Sequence, residues 1–522
     1  MDALISSRRS PLHSIQWRKE FSTRLATMYH GQDNRLRVPA DKTVIDEFFR
    51  SLNPSLAPPR RHELLRLFLE QTGAQRSFLD VIRSKRSPAY NQVLAMVDDR
   101  CDPSLQFAGI SGSAAFLPVR QWESEEYMQR PPEGLHVRVS GMDAVELYTH
   151  LNQDRRGRAE RRIVYLVDLT PIMCLVLISN VSYMHLPEVR SFLSRYVAFD
   201  SYMGITLARG FTLEFHLPHY ALRKDADQLK DSRRLRKHRL FRLSGEEAIY
   251  EAQLSLVVYG VDDFFWAAYF CEDTYFRASN PITEYLQDGD DGPSSGVRRS
   301  RFPIWDPRYY FLSILVVRMG QITMEWTVIM EVITSRLDEH DDLFLEEDPS
   351  LNRTKEYTWI LGTLRRLRNL LSRVISTVVS FDANNGAYFD LEAQGALYDR
   401  FRECLGQVRQ NTAELAAIRM VLEQRIETLE KMSDVLVNAS SLSESITATR
   451  QGNNIRLLTY ISIIYLPLNL ATSIFGMNQV GSENAWWKYS VCLICLAGGT
   501  IGAAIGLQTI LPRWMRRQAK HL

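Results

Sequence analysis

Six cysteines in 522 residues are too few for a disulfide framework. Cys101, Cys174, Cys271 and Cys404 read as thiols of a reducing compartment. Cys492 and Cys495 form a CxxC inside an apolar run and read as small packing residues. An excess of one charge is missing too. Lys plus Arg (63) nearly balances Asp plus Glu (61), and the net charge of +2 points to no polyanionic partner. The basic run "RRLRKHRLFR" (233–242) has no nucleic-acid motif beside it. It is expected to be a solvated face or loop, so no nucleic-acid partner is expected. There is no P-loop, no GxGxxG after a strand, no HExxH and no GxSxG. The chain is therefore not expected to be an enzyme or to hold a prosthetic group. The N-terminal "MDALISSRRSPLHSIQWRKE" lacks the apolar core of a secretory signal. Its Arg and Ser content suits a mitochondrial transit peptide, but Asp2, Glu20 and the lack of repeating apolar positions argue against one.

Charge is absent from two C-terminal stretches, the 26 positions from Leu457 to Ser482 and the 24 from Tyr489 to Pro512. About 20 helical residues cross a hydrocarbon core of roughly 30 Å. Both stretches qualify, and the joining loop is short, so they predict a transmembrane hairpin with spans at about 457–476 and 489–511. Arg450 and Arg456 precede it, and Arg513, Arg516, Arg517 and Lys520 follow it. Basic residues at both outer ends put both termini in the cytosol, with the plasma membrane preferred over the mitochondrial inner membrane. Trp486, Trp487 and Trp514 sit where interfacial anchors would. Two other apolar stretches fail as spans. Ile163–Val181 contains Asp168 and Pro171 and reads as buried strands. Tyr309–Ile333 is interrupted by Arg318, Glu325 and Glu331 and reads as a buried soluble helix.

The remainder divides by pattern. Residues 1–125 read as mostly helical. Residues 126–306 read as an α/β domain, with "GLHVRVSG" and "AQLSLVVYG" as strands and 288–300 as a loop or linker. Residues 307–455 read as long helices, 456–512 as the membrane hairpin, and 513–522 as a basic cytosolic tail. Leu415, Ile418, Leu422, Leu429, Met432, Leu436, Ala439 and Ile446 follow 3–4 spacing, as in a coiled coil. One helix from about Phe389 is expected to run as a stalk into the membrane. The acidic run "DEHDDLFLEED" (338–348) reads first as a solvated loop. Clustered carboxylates suit hard cations, so Asp341 is a candidate ligand for a regulatory divalent ion. The expected architecture is an α+β cytosolic domain, then long stalk helices, then a C-terminal two-helix transmembrane hairpin.

The segment "NNIRLLTYISIIYLPLNLATSIFGMN" carries Thr459, the Pro467-Leu468 pair and the ending Phe475-Gly476-Met477-Asn478. It resembles the first transmembrane helix of CorA-type magnesium channels, the CorA/ZntB-like family. The resemblance is strong over about 450–522 and weakens toward residue 385; the N-terminal region resembles fungal-type members only in layout. Phe475 replaces the commoner tyrosine, Asn469 stands where the family often has a threonine, and the outer loop has one acid, Glu483.

The resemblance implies a homopentamer in membrane lipid that passes hydrated divalent cations, Mg2+ foremost. Gly476, Met477 and Asn478 would form the selectivity mouth: Gly476 turns the chain, Met477 braces it, and Asn478 faces the hydrated ion. Mg2+ holds its water tightly. A ring of uncharged side-chain oxygens can hold it by hydrogen bonds and still release it. Ile455, Leu458, Ser462, Leu466, Asn469 and Ser473 lie at 3–4 spacing and match the family's pore face. Ile455, Leu458 and Leu466 would form apolar rings, and the polar three would offer oxygens to the ion. The resemblance also makes Mg2+ a regulatory ion. Two alternatives stay open: transport of zinc or another divalent cation by the same fold, and a non-conducting membrane-anchored signalling or scaffold protein.

Overall fold

A computed structural model describes residues 16–23, 43–50, 60–72, 92–100, 140–153, 160–208, 210–224, 229–240, 247–277, 279–300, 302–341, 352–476, 487–488 and 490–502. The chain divides into two compact units, residues 1–346 with 356–429, and residues 347–355 with 430–522. In order, the elements are α1 (Val44–Arg50), α2 (Arg60–Glu70), β1 (Ala95–Arg100), β2 (Ser140–Met142), α3 (Ala144–Asn152), β3 (Arg161–Val167), α4 (Pro171–Asn180) and α5 (Leu186–Ala198). Then come β4 (Tyr202–Leu207), β5 (Phe211–Lys224), β6 (His238–Leu240), β7 (Glu247–Gly260), β8 (Trp266–Glu272) and α6 (Pro281–Asp288). The long helices are α7 (Pro307–Asp341), α8 (Asn352–Asn385) and α9 (Ala396–Gly476). A shorter apolar helix, α10, spans Ser490–Gly502.

The first unit is built on one sheet of order β2-β1-β3-β8-β7-β5-β4, with β6 added to β7. β3 and β8 run parallel; β5 and β7 pair antiparallel along all 14 residues. Side chains alternate across the strands. Val164, Leu166, Val257, Tyr259 and Tyr269 join the core that α2, α4 and α5 bury on one face. On the other face Phe215 packs 5.7 Å from Phe311, and Trp266 packs 5.4 Å from Tyr310, both from α7. Burial on both faces explains why β7 and β8 lack the apolar–polar alternation of a half-exposed sheet.

α7 is long and apolar enough to cross a membrane, yet 56% of its most apolar window is buried inside the protein. Its charges explain this. Arg318 is fully buried, 2.9 Å from Glu272 of β8. Glu325 takes both guanidinium nitrogens of Arg223 at 2.8 and 2.5 Å. The expectation of a buried helix holds.

Several expectations change. Ile163–Val181 is half strand and half helix, β3 followed by α4. The stretch is apolar all round, so periodicity alone does not decide between the two states. The local signal was Thr170-Pro171: the threonine hydroxyl accepts from Met173 N at 3.3 Å, and proline takes the first turn. β1 also joins the sheet, pairing with both β2 and β3, although it lies within the stretch expected to be mostly helical. Of "GLHVRVSG" only Ser140–Gly141 lies within the described residues, where it is strand.

Residues 288–300, expected to be a loop or linker, form an ordered loop seated on the sheet. Arg318 donates to Pro293 O at 2.7 Å and Gly292 O at 2.8 Å. A Cβ on Gly292 would meet the Tyr165 ring at 2.8 Å, so the close approach requires glycine. The basic run is a loop through Lys237, with Arg234 and Lys237 exposed, but two of its arginines are not solvated. Arg233 and Arg236 are buried and bind Asp273 at 3.0 and 2.6 Å. Tyr196 also donates its hydroxyl to Asp273. Burial alone would raise the Asp273 carboxyl; Arg236 and Arg233 outweigh it and hold it down at about 2.

Candidate functional site

α9 changes character along its length. In the first unit Phe401, Leu405, Val408, Leu415, Leu422, Ile426 and Leu429 are buried at spacings of 3, 4 or 7, the pattern of a coiled-coil seam. Exposed ion pairs flank it, Arg409 to Asp382 at 2.8 Å and Arg425 to Asp338 at 2.9 Å. In the second unit the cover is lost, and Val435, Leu442 and Ile446 are exposed. The helix expected from about Phe389 starts instead at Ala396 and runs unbroken for 81 residues. Of its expected seam, Leu415, Leu422 and Leu429 are buried and Ile446 is not.

The last third of α9 holds the candidate site. Glu444–Ser473 is long and apolar enough to cross a membrane, and only 12% of its most apolar window is buried. At 100° per residue the six candidates Ile455, Leu458, Ser462, Leu466, Asn469 and Ser473 fall in a stripe about 80° wide. All six are exposed, with Ile455, Leu458 and Leu466 at 65–67%. Pro467 and Ala471 are buried, one turn apart, on the far side of the helix from that stripe. α10 also shows a covered side, where Cys492, Leu493, Leu496, Ala497 and Thr500 are half-buried.

Hydrogen bonds define what the stripe can offer. The Ser462 hydroxyl donates to Leu458 O at 2.9 Å, which leaves its oxygen free to accept. Thr459 donates to Ile455 O at 2.7 Å, and Thr472 to Leu468 O at 2.9 Å. Both threonines thereby satisfy their hydroxyls within the helix, as apolar surroundings require. Pro467 has no N–H, so the carbonyl of Ile463 lacks its helical partner. Asn469 places an exposed amide midway along the apolar segment. In hydrocarbon such a group calls for another polar partner or for water. The stripe carries no charge.

Gly476 ends α9 and is exposed, with open space where a Cβ would stand. Met477 and Asn478 lie outside the described residues.

Residues 329–513 match the family described as CorA-like Mg2+ transporter protein. Over this segment the chain is similar to the CorA-like family. The CorA-like segment begins within α7 and takes in α8, α9 and α10, so the eight-stranded sheet lies outside it. No curated protein matches the chain. Among solved structures it is similar to the complete CorA magnesium transporter from Methanocaldococcus jannaschii, at 11% identity and TM-score 0.33, over 79% of this chain and 97% of that one. It is similar to full-length CmaX at 14% identity and TM-score 0.32, over 67% and 88%. It is also similar to the ZntB cytoplasmic domain from Vibrio parahaemolyticus at 12% identity and TM-score 0.31, over 55% and 92%. Likenesses at that level place no residue.

The regulatory candidate is less defined. Asp341 is the last residue of α7, and residues 342–348 of the acidic run lie outside the described residues. Asp338 is committed to Arg425. Among the described residues no three His, Cys, Asp or Glu side chains are grouped to hold a metal. One pair was not singled out from sequence: Arg456 Nε donates to the Tyr460 hydroxyl at 3.0 Å, where the uncharged segment begins. The signal was their i,i+4 spacing.

Proposed function

We propose that this CorA-like protein is a passive channel for divalent cations, Mg2+ foremost, formed by five copies of the chain. The observation that carries the reading is the uncharged stripe on α9. Six residues spaced over about five turns share one exposed face, opposite the buried Pro467 and Ala471. Five such faces around an axis would line a pore. Ile455, Leu458 and Leu466 would form apolar constrictions that close by dewetting. Ser462, Asn469 and Ser473 would supply oxygens to the hydrated ion. Gly476, Met477 and Asn478 form the outer mouth, with the Asn478 amide meeting the ion's water shell. A neutral oxygen ring is suited to a strongly hydrated ion, because it holds the shell without binding too tightly for release.

Transport, not chemical catalysis, is the activity in this reading. A potential of 100 mV gives a divalent ion roughly 4.6 kcal/mol, so no nucleotide hydrolysis is needed. Basic residues outside both spans leave both termini in the cytosol, in the plasma membrane. Asp341 remains the candidate for a regulatory Mg2+ ligand.

The test is metal uptake in a magnesium-dependent strain. Wild-type protein is expected to restore Mg2+ uptake, and Asn478→Ala, at equal membrane abundance, to abolish it. Equal uptake by both would remove Asn478 from the mouth. Uptake of Zn2+ but not Mg2+ would identify a zinc transporter. No divalent uptake by membrane-inserted wild type would favour an anchored scaffold.

A further inference from the structure

A cleft of about 320 Å3 opens in the first unit between α8 and the β5–β7 part of the sheet. Its size falls at the small end of the range for ligand pockets, about 300–1,000 Å3. Two aromatic side chains, Tyr220 of β5 and Trp359 of α8, line it. The Tyr220 ring is held edge-on against Trp326 of α7, 6.0 Å away. Lys237 and Arg366 also line the cleft, both exposed. Neither forms an ion pair among the described residues, whereas Arg233 and Arg236 beside Lys237 are both paired with Asp273. Arg373 lies two turns beyond Arg366 on the same side of α8. It lines the neighbouring groove with Asp200 and Ser376.

The acidic member of the cleft is Glu251 of β7. One of its oxygens accepts from Lys237 N at 3.0 Å. Burial, the largest influence on its carboxyl, pushes it up from the ordinary value. Burial likewise raises the Tyr220 hydroxyl to about 12, so it remains a neutral donor. Tyr220 and Glu251 thus offer a donor and an acceptor to the edge of a flat ring. Cationic character grows toward Arg366 and Arg373. Aromatic walls, edge-reading polar groups and uncommitted cations together are the chemistry that recognises a base joined to a phosphate.

We infer that this cleft binds a nucleoside monophosphate, with the base beside Trp359 and Tyr220 and the phosphate on Lys237 and Arg366. The site goes beyond the transport reading. Binding is measured without transport, so its failure would leave the channel reading intact.

The experiment is equilibrium dialysis of the purified full-length protein in detergent, with labelled adenosine monophosphate in chelator-containing buffer. Saturable binding is expected, displaced by unlabelled nucleotide at far lower concentration than by inorganic phosphate. Each of Arg366→Glu and Lys237→Glu should weaken it about tenfold or more, since a charge-assisted hydrogen bond becomes a repulsion. Both sites are exposed, so the melting temperature should not move. Trp359→Leu should reduce the preference for nucleotide over phosphate. No saturable binding, or binding that neither charge reversal weakens, overturns the proposal. So does inorganic phosphate that competes as well as the nucleotide, because the cleft would then read charge alone.

Discussion

Glu272 is buried and receives Tyr165 at 2.9 Å, Arg277 at 3.0 Å and Arg318 at 2.9 Å. Burial opposes its charge, and the two arginines more than offset that, holding the carboxyl below its ordinary value. Removing one partner from such a pair strands the other. Arg318→Met is expected to cost about 3–5 kcal/mol. The double variant Arg318→Met/Glu272→Gln should recover part of the loss, as read from denaturation midpoints of the purified protein. Asp273 adds a pH dependence. Its folded carboxyl lies at about 2, below the ordinary 3.8. Its contribution is therefore present above that ordinary value and is lost as pH falls through the folded one. Asp273→Asn should be clearly less stable than wild type at neutral pH, and the gap should narrow from about pH 4 downward.

At the scale of one element, α9 makes its own prediction. In a chain with Cys492 and Cys495 replaced by alanine, single cysteines at 458, 466 and 473 should react with a membrane-impermeant thiol reagent that enters the pore. A cysteine at Ala471 should not, because that position is covered. Equal labelling of both faces would dissolve the stripe. Leu458→Asn is expected to raise basal Mg2+ uptake, because a polar ring holds water where an apolar ring excludes it. The elements also show what was legible in the sequence. α9 could be read because a proline-free run with 3–4 spacing admits only a helix, and its apolar end because no charge interrupts it. β1 was harder, since "AMVDDR" carries three charges in six residues. Asp98 and Asp99 are buried only because Arg161 and Arg162 of β3 meet them at 3.1 and 2.7 Å. The Arg233–Asp273 pair is 40 residues apart in sequence, and no local pattern announces such a partner. In the candidate site, the stripe was legible because helical geometry alone puts those residues on one face.

For the whole molecule, the expected assembly has five times the 60.3 kDa chain mass, measurable by native mass spectrometry in detergent. A monomer or dimer that still transports would rule out the pentameric pore. The open surface of α9 beyond Leu429 gives such an assembly a reason. An isolated helix with exposed Val435, Leu442 and Ile446 needs neighbours, whether lipid or other copies of the chain.

α7 poses a problem for synthesis. It leaves the ribosome before the proposed C-terminal spans, and by length and apolar content it qualifies as a span itself. What distinguishes it is Arg318 and Glu325, which would each oppose insertion by roughly 3 kcal/mol near the middle of a bilayer. The same charges that later lock α7 against the sheet would thus first turn it away from the translocon. A chain with Arg318→Leu and Glu325→Leu should insert one helix too many, which a glycosylation acceptor placed after α7 would report. The proposed C-terminal hairpin would then be threaded upside down, with the proposed mouth at Asn478 facing the wrong side of the membrane.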